Sequence, residues 1–340
     1  MKNDITYDEA LKLKNRIFID VRSPKEYEEA TIPGAVNIPV LLDEERIKVG
    51  TLYAHGYVSL AKQAGVEAIS ERLPAIFREI TQLYETHCLI IFCSRGGYRS
   101  TSLSSFLYAL DIKVHRLYGG YKAYRHWLLD HFSCVIEGIV PVTLYGNTGA
   151  GKTLLLHQLA AAGYPVIDLE ALANHRGSLL GAVGHKEQPG QKKFDSALYV
   201  LLEKYQGKAV FFEGESRRIG RLLLRDEVYN AICSGCMVWI NTPIEERVKL
   251  LVAEYSPADE AELVEALAKL ARYVGKKRIE ELKVLLTQRK YHDVAQELCE
   301  RYYDCNYKKP TTAWIKTYIN DNPAKTVKEL AYDYDCGLFH

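Results

Sequence analysis

The segment Gly146-Asn147-Thr148-Gly149-Ala150-Gly151-Lys152-Thr153 constrains this 340-residue chain more than any other. It fits G-x4-G-K-[ST], with an apolar run, Ile139 to Tyr145, before it and a helical pattern from Lys152 to about Ala162 after it. At average residue frequencies a chance match is expected in about one chain of this size in a hundred, before the strand and helix are required. The glycines let the backbone curl until its N–H groups face a phosphate, Lys152 neutralises that phosphate, and Thr153 can ligate Mg²⁺. A strand feeding such a loop belongs in a parallel α/β sheet.

The same alternation of apolar runs and helical patterns runs through the first third. Arg16 to Val21 and Leu89 to Phe92 read as strands, and Ser100 to Leu110 reads as a helix. The pattern restarts near residues 132–138. Ala209 to Phe212 and Met237 to Ile240 add further strands to the phosphate-loop domain, and from about Ile244 the chain reads as mostly helical, first acidic and then basic. The expected fold class is α/β: a domain over 1–132, a P-loop α/β core over 133–243, and a helical extension over 244–340.

Composition narrows the function classes. Lys and Arg number 44 against 43 Asp and Glu, a formal charge of +1, which excludes a protein coated in positive charge for nonspecific nucleic-acid binding. Residues 1–132 carry 17 basic and 16 acidic side chains, so neither part is basic as a whole. No apolar run approaches membrane-spanning length and Met1-Lys2-Asn3-Asp4 lacks a signal-peptide core, so a cytosolic protein without membrane partners is expected. Eight irregularly spaced cysteines suit reduced thiols. Cys233-Ser234-Gly235-Cys236 has no second C-x2-C to close a zinc site, so no metal site is expected there.

One cysteine stands out. Phe92-Cys93-Ser94-Arg95-Gly96-Gly97-Tyr98-Arg99-Ser100 sets a thiol at the end of a strand, ahead of a helix N-terminus, among glycines and two arginines. Backbone N–H groups wrapped around the sulfur, together with Arg95 and Arg99, favour the thiolate and suit an incoming oxyanion. Cys93 is therefore a candidate nucleophile or chalcogen carrier. The spacing from Cys93 to Arg99 also fits C-x5-R, the pattern of cysteine-dependent phosphatases. Flanking it are Asp20-Val21-Arg22-Ser23-Pro24-Lys25-Glu26-Tyr27, Ile32-Pro33-Gly34-Ala35-Val36-Asn37-Ile38-Pro39 and Gly119-Gly120-Tyr121-Lys122-Ala123-Tyr124. With these, residues 1 to about 132 resemble the rhodanese, or sulfurtransferase, domain, whose loop cysteine carries a persulfide. One departure is Thr31, where many rhodaneses have histidine.

In the second domain, Glu213-Gly214-Glu215-Ser216 follows an apolar run, where nucleotide hydrolases often carry a metal-binding carboxylate; Glu213 and Glu215 are the candidates for Mg²⁺ or substrate contact. Arg217, Arg221 and Arg225 recur at i, i+4 and i+8, with Arg218 beside them, and would form one basic stripe if the stretch is helical. The run from Arg272 to Lys290, including Lys276, Lys277 and Arg278, is a second basic stretch. A solvated charged face explains either nearly as well.

A rhodanese domain ahead of a P-loop domain resembles the tRNA 2-selenouridine synthases over nearly the whole chain. The likeness extends through Glu45-Arg46-Ile47-Lys48-Val49-Gly50-Thr51-Leu52-Tyr53, Asn174-His175-Arg176-Gly177-Ser178, Gln188-Pro189-Gly190-Gln191-Lys192-Lys193-Phe194, the segment from Glu213 to Gly220, and Tyr302-Tyr303-Asp304. Departures are Leu179-Leu180-Gly181, where Ser-Phe-Gly is expected, and Cys305, where proline is common.

The resemblance implies replacement of sulfur by selenium at C2 of wobble 2-thiouridine in tRNA, with selenophosphate as donor and an S-geranyl intermediate made from geranyl diphosphate. It implies Cys93 as the catalytic cysteine, Arg95 and Arg99 steering selenophosphate, and Gly146 to Thr153 holding the diphosphate. The partners implied are the tRNA anticodon loop and a selenophosphate-supplying enzyme, with no tightly bound cofactor. The competing readings are a C-x5-R phosphatase or sulfurtransferase fused to a nucleotide-dependent kinase, and a noncatalytic nucleotide-gated adaptor.

Overall fold

The computed structural model describes residues 4–175, 187–214, 216–254, 260–306 and 314–339. The chain divides into two compact units, Met1–His131 and Phe132–His340. Among the described residues no helix is long and apolar enough to cross a membrane.

The first unit is built on five parallel strands: β1 (Asp4–Ile5), β2 (Arg16–Asp20), β3 (Val36–Asn37), β4 (Cys88–Phe92) and β5 (His115–Leu117), in the order β1-β5-β4-β2-β3. β4 is central and apolar along its length, as expected of a parallel strand covered on both faces. Its register against β2 pairs Asp20 with Phe92, so the ends of both strands lie beside the Cys93 loop. Ile19, Ile91, Leu103 and Ile80 fill the core, each contributing about 1.5–3 kcal/mol of burial. Between β3 and β4 run two helices packed on each other, Asp43–Ala54 and Val58–Tyr84.

The second unit carries β6 (Val140–Tyr145), β7 (Ala209–Glu213), a small antiparallel hairpin of β8 (Arg218–Ile219) and β9 (Leu222–Leu223), then β10 (Cys236–Asn241) and β11 (Lys316–Ile319). The main sheet has the order β11-β10-β6-β7, all parallel. Leu144, Val238 and Ile240 pack with Leu155 and Leu159 of the helix Lys152–Ala161 and with Leu330 of the helix Pro323–Asp335. Helices over 260–306 form their own apolar cluster around Leu267, Leu282 and Leu298. The fold is α/β, a parallel-sheet unit followed by a second parallel-sheet unit with C-terminal helices.

One expectation is corrected. The stretch from Arg217 to Arg225 is not helical, so Arg217, Arg221 and Arg225 share no helix face. Gly220, at φ +58°, turns the chain between β8 and β9, and Ile219, Leu222 and Leu224 are buried while Arg221 and Leu223 face out. Leu222 and Leu224, two apart, keep a strand's period, and the hairpin pairs Ile219 with Leu222 across the turn. The region after Ile244 is mostly helical and adds a strand as well: β11 pairs with β10 at the sheet edge, with Tyr318 buried and its hydroxyl donating to Asp333 at 2.5 Å.

Candidate functional site

Cys93 follows the last residue of β4 and is 3% exposed. Its Sγ lies 3.2 Å from Ser100 Oγ and 3.8 Å from the Gly97 carbonyl, at the start of the helix Tyr98–Ala109. The segment after β5 clamps this loop from below. Tyr121 N–H donates to the Cys93 carbonyl at 2.8 Å and Lys122 N–H to the Ser94 carbonyl at 3.0 Å. Gly120 sits at φ +60°, and a Cβ there would fall 2.2 Å from the Cys93 carbonyl oxygen and 2.6 Å from Gly96 N. Only glycine permits both the dihedral and the approach. The Gly119-Gly120-Tyr121 motif is thus the floor of the cysteine loop. Arg116 of β5 adds a donor to the Gly96 carbonyl at 2.9 Å.

The two arginines expected to serve an oxyanion are separated by their partners. Arg99 donates to Glu26 at 2.5 and 3.2 Å and to Ser94 Oγ at 2.8 Å. Ser94 Oγ itself donates to Glu26 at 3.0 Å. Burial would raise the Glu26 carboxyl, but the hydrogen bonds and charge of Arg99, the Ser23 N–H and the Ser94 hydroxyl outweigh it and hold its pKa down at about 2. Arg99 therefore braces the loop against the helix Pro24–Glu29. Arg95 is exposed and lines a cleft beside Cys93.

The Asp20-Val21-Arg22 motif braces the same strand ends. Arg22 and Asp20 form a buried ion pair at 2.6 Å, and Arg22 also donates to the Ala30 carbonyl and lies 4.2 Å from the Tyr121 ring centroid. Thr31 donates to Asp20 Oδ2 at 2.8 Å. Thr31, the departure from the common rhodanese histidine, thus adds a donor to the carboxylate that pairs with Arg22.

In the second unit the phosphate loop leaves β6 and turns into the helix Lys152–Ala161. Gly149 and Gly151 both lie at φ +78°. A Cβ on Gly146 would fall 2.7 Å from the Ile240 carbonyl oxygen. Lys152 Nζ reaches back to the Gly146 carbonyl at 3.3 Å. Three residues that sequence reasoning missed hold the loop from outside. Arg247 donates to the Thr148 carbonyl at 2.9 Å and pairs with Asp304 at 2.7 Å, while Thr242 and Asn320 donate to the Ala150 carbonyl at 2.9 and 3.0 Å. Tyr302-Tyr303-Asp304 contained the signal for Arg247's partner.

Glu213 ends β7 and is buried, while Glu215 lies outside the described residues, as do Arg176, Gly177 and Ser178. Thr153 Oγ1 donates to Glu170 Oε2 at 3.4 Å, adding a carboxylate that the sequence had not singled out. Thr153, Glu170 and Glu213 are hard oxygen donors of the kind Mg²⁺ takes beside a phosphate.

The basic candidates are mostly engaged by acids. Arg217 pairs with Asp226, Arg221 with Glu187, and Arg225 with Glu227. Arg278 pairs with Glu281 and Glu297. Arg218, Lys276 and Lys277 are exposed, the last two opening the helix Lys276–Thr287.

Comparison with known proteins agrees with both units. A family model described as the rhodanese-like domain matches residues 6–126, and one described as the tRNA 2-selenouridine synthase AAA domain matches residues 139–334. The tRNA 2-selenouridine synthase of Nitrosomonas europaea is 33% identical over 292 residues, covering 82% of this chain and 75% of its own. That of a Sulfurovum species is 36% identical over 251 residues, covering 72% and 68%. That of Hydrogenovibrio crunogenus is 35% identical over 265 residues, covering 75% and 72%. With a rhodanese-like domain followed by that family's own AAA domain, this chain belongs to the tRNA 2-selenouridine synthase family of enzymes.

Proposed function

We propose that this enzyme replaces sulfur by selenium at C2 of the wobble 2-thiouridine of tRNA, with selenophosphate as donor and an S-geranyl-2-thiouridine intermediate made from geranyl diphosphate. The observation that carries the reading is the retention, in one chain, of a buried thiol in a braced loop and of a complete phosphate loop with Lys152. A chalcogen transfer uses the first and an allylic diphosphate uses the second.

In the first step the thiocarbonyl sulfur attacks the C1 carbon of geranyl diphosphate. The C1–O bond breaks, pyrophosphate leaves with the electron pair, and the base loses its N3 proton. Gly146 to Thr153 hold the diphosphate; Lys152 stabilises the charge that grows on it, and Mg²⁺ at Thr153 with Glu170 or Glu213 would add to that stabilisation. In the second step a selenium nucleophile adds at C2, and the C2–S bond breaks with its electron pair leaving on geranylthiol. Alkylation makes this possible by turning a thiocarbonyl into a leaving group. The Cys93 thiolate attacks the phosphorus of selenophosphate; the P–Se bond breaks with its electron pair on selenium, which becomes the nucleophile that adds at C2, and water then cleaves the S–P bond to return the thiol and release phosphate. Arg95, exposed beside Cys93, steers the anionic donor, and Arg99 keeps the loop in shape through Glu26 and Ser94.

The division of labour follows the chain. Residues 1–132 perform the chalcogen step, residues 133–243 hold the diphosphate, and residues 244–340 support the phosphate loop through Arg247 and Asn320. Arg218, Lys276 and Lys277 contact tRNA phosphates, with Arg217, Arg221, Arg225 and Arg278 joining where RNA displaces their acidic partners. An anticodon loop offers the base already unstacked at low cost.

The test is to incubate full-length protein with 2-thiouridine-containing tRNA, selenophosphate and geranyl diphosphate and to identify nucleosides by mass spectrometry. The reading expects an S-geranyl nucleoside and a selenium nucleoside. Absence of both, with active donors, would sink it. Rapid phosphate release from an aryl phosphate would instead favour the phosphatase reading.

A further inference from the structure

A cleft of about 690 Å³ opens beside Cys93 in the first unit, within the range of about 300–1,000 Å³ usual for small-molecule sites. Its walls are apolar: Val49 from the helix Asp43–Ala54, Ile69 and Leu73 from the helix Val58–Tyr84, and Leu103 and Phe106 from the helix that follows the cysteine loop. The polar lining comprises Cys93, Ser94 and Arg95 of the loop, Arg99 and Ser102 of the helix after it, and the cations Arg46 and Lys62. A selenium donor alone, small and anionic, needs no apolar chamber of this size.

Two glycines sharpen the point. Gly50 and Gly65 both line the cleft, and each lies in the interior of a helix, where glycine costs stability. Neither has a left-handed φ. A Cβ on Gly65 would meet no atom within 4 Å, and one on Gly50 only the far end of Arg46 at 3.6 Å. No close helix packing demands them; what they leave is open space in the chamber. Among the lining residues the rings of Tyr53 and Tyr98 stack with centroids 6.1 Å apart and Lys62 Nζ lies 5.9 Å from the Tyr98 centroid, while Tyr98, 69% exposed, retains ring surface on which a base can stack.

We propose that this cleft seats the hydrocarbon chain carried on the sulfur of S-alkylated 2-thiouridine, with the pyrimidine on Tyr98, its C2 at Cys93, and the RNA backbone on Arg46 and Lys62. The assignment rests on the S-geranyl reading above and adds where the chain is recognised. It makes the first unit a reader of the alkylated base as well as the place where the selenium nucleophile is released. It also accounts for a lining that is mainly apolar and yet carries cations.

Full-length protein is given selenophosphate and tRNA bearing either S-geranyl- or S-methyl-2-thiouridine, and KM for selenium transfer is measured for wild type, Gly65→Ala and Gly65→Leu. Leucine fills the open space, so the ratio of geranyl to methyl KM should rise about tenfold, whereas Gly65→Ala should keep the wild-type ratio. In a second arm, tRNA whose geranyl chain ends in a diazirine is photolysed on wild-type protein, with adducts expected on Val49, Ile69 or Phe106. Adducts confined to residues outside 40–106, or an unchanged KM ratio in Gly65→Leu, would overturn the assignment. Turnover of geranylated tRNA with adducts elsewhere removes the cleft alone. Absence of any turnover of geranylated tRNA by wild type removes the S-geranyl reading beneath it.

Discussion

Replacing Glu26 by glutamine keeps the side chain's shape and removes the charge that holds Arg99 and Ser94 beside Cys93. The difference between an ordinary glutamate value of 4.5 and the pKa of about 2 held here corresponds to about 3 kcal/mol. The side chains of Glu26 and Arg99 are 18% and 19% exposed, so solvent screening removes only part, leaving about 2–3 kcal/mol. Because the folded pKa lies below the ordinary value, the stabilisation is complete above pH 4.5 and is lost as pH falls towards 2. A global melt of a two-unit chain would mix transitions, so hydrogen exchange of residues 92–101, corrected for intrinsic rates, is the better assay. At pH 7 Glu26→Gln should lower protection there by about 30- to 100-fold, and the difference should shrink as both proteins are taken towards pH 3. Equal protection at pH 7, or a difference that does not change with pH, would refute the reasoning.

Three further outcomes follow from the same geometry. Gly120→Ala places a Cβ against the Cys93 carbonyl at a left-handed dihedral, and should cut selenium transfer by about 10²-fold through loop displacement; activity within twofold of wild type would contradict the clamp. Asp20→Asn leaves the buried Arg22 charge without its carboxylate, at a cost of about 3–5 kcal/mol, read as lost hydrogen-exchange protection of the first unit's core strands β2 and β4; a loss worth less than about 0.5 kcal/mol would contradict it. Lys152→Ala should raise the KM for geranyl diphosphate at least about tenfold and weaken selenium transfer to already geranylated tRNA far less. Equal losses in both assays would contradict a diphosphate role.

The central strands and both loops were legible because each is written locally. An apolar run, a glycine turn and a helix start stand in one continuous segment at Phe92 to Ser100 and again at Leu144 to Thr153. What holds those loops was not local. Arg247 reaches Thr148 across 99 positions and Asn320 reaches Ala150 across 170, and no spacing announces such pairs. Glu26 was partly readable: Ser23-Pro24-Lys25-Glu26 is a helix-start pattern, and the Ser23 N–H does donate to Glu26. Its second role, on Arg99, needed the fold. The Arg217 to Arg225 stripe failed because three basic residues four apart outweighed Gly220 and the apolar Ile219, Leu222 and Leu224 around it, which carried the hairpin. β11 was hidden behind the surrounding helical run, although Tyr318 marks its buried face.

The most direct test of the two-step account is the fate of tRNA in Cys93→Ser. Supplied with 2-thiouridine tRNA, geranyl diphosphate and selenophosphate, the variant should accumulate S-geranyl-2-thiouridine and form no 2-selenouridine, by nucleoside mass spectrometry, while wild type proceeds to selenium. Normal 2-selenouridine formation by Cys93→Ser, or loss of geranylation together with selenium transfer, would contradict it.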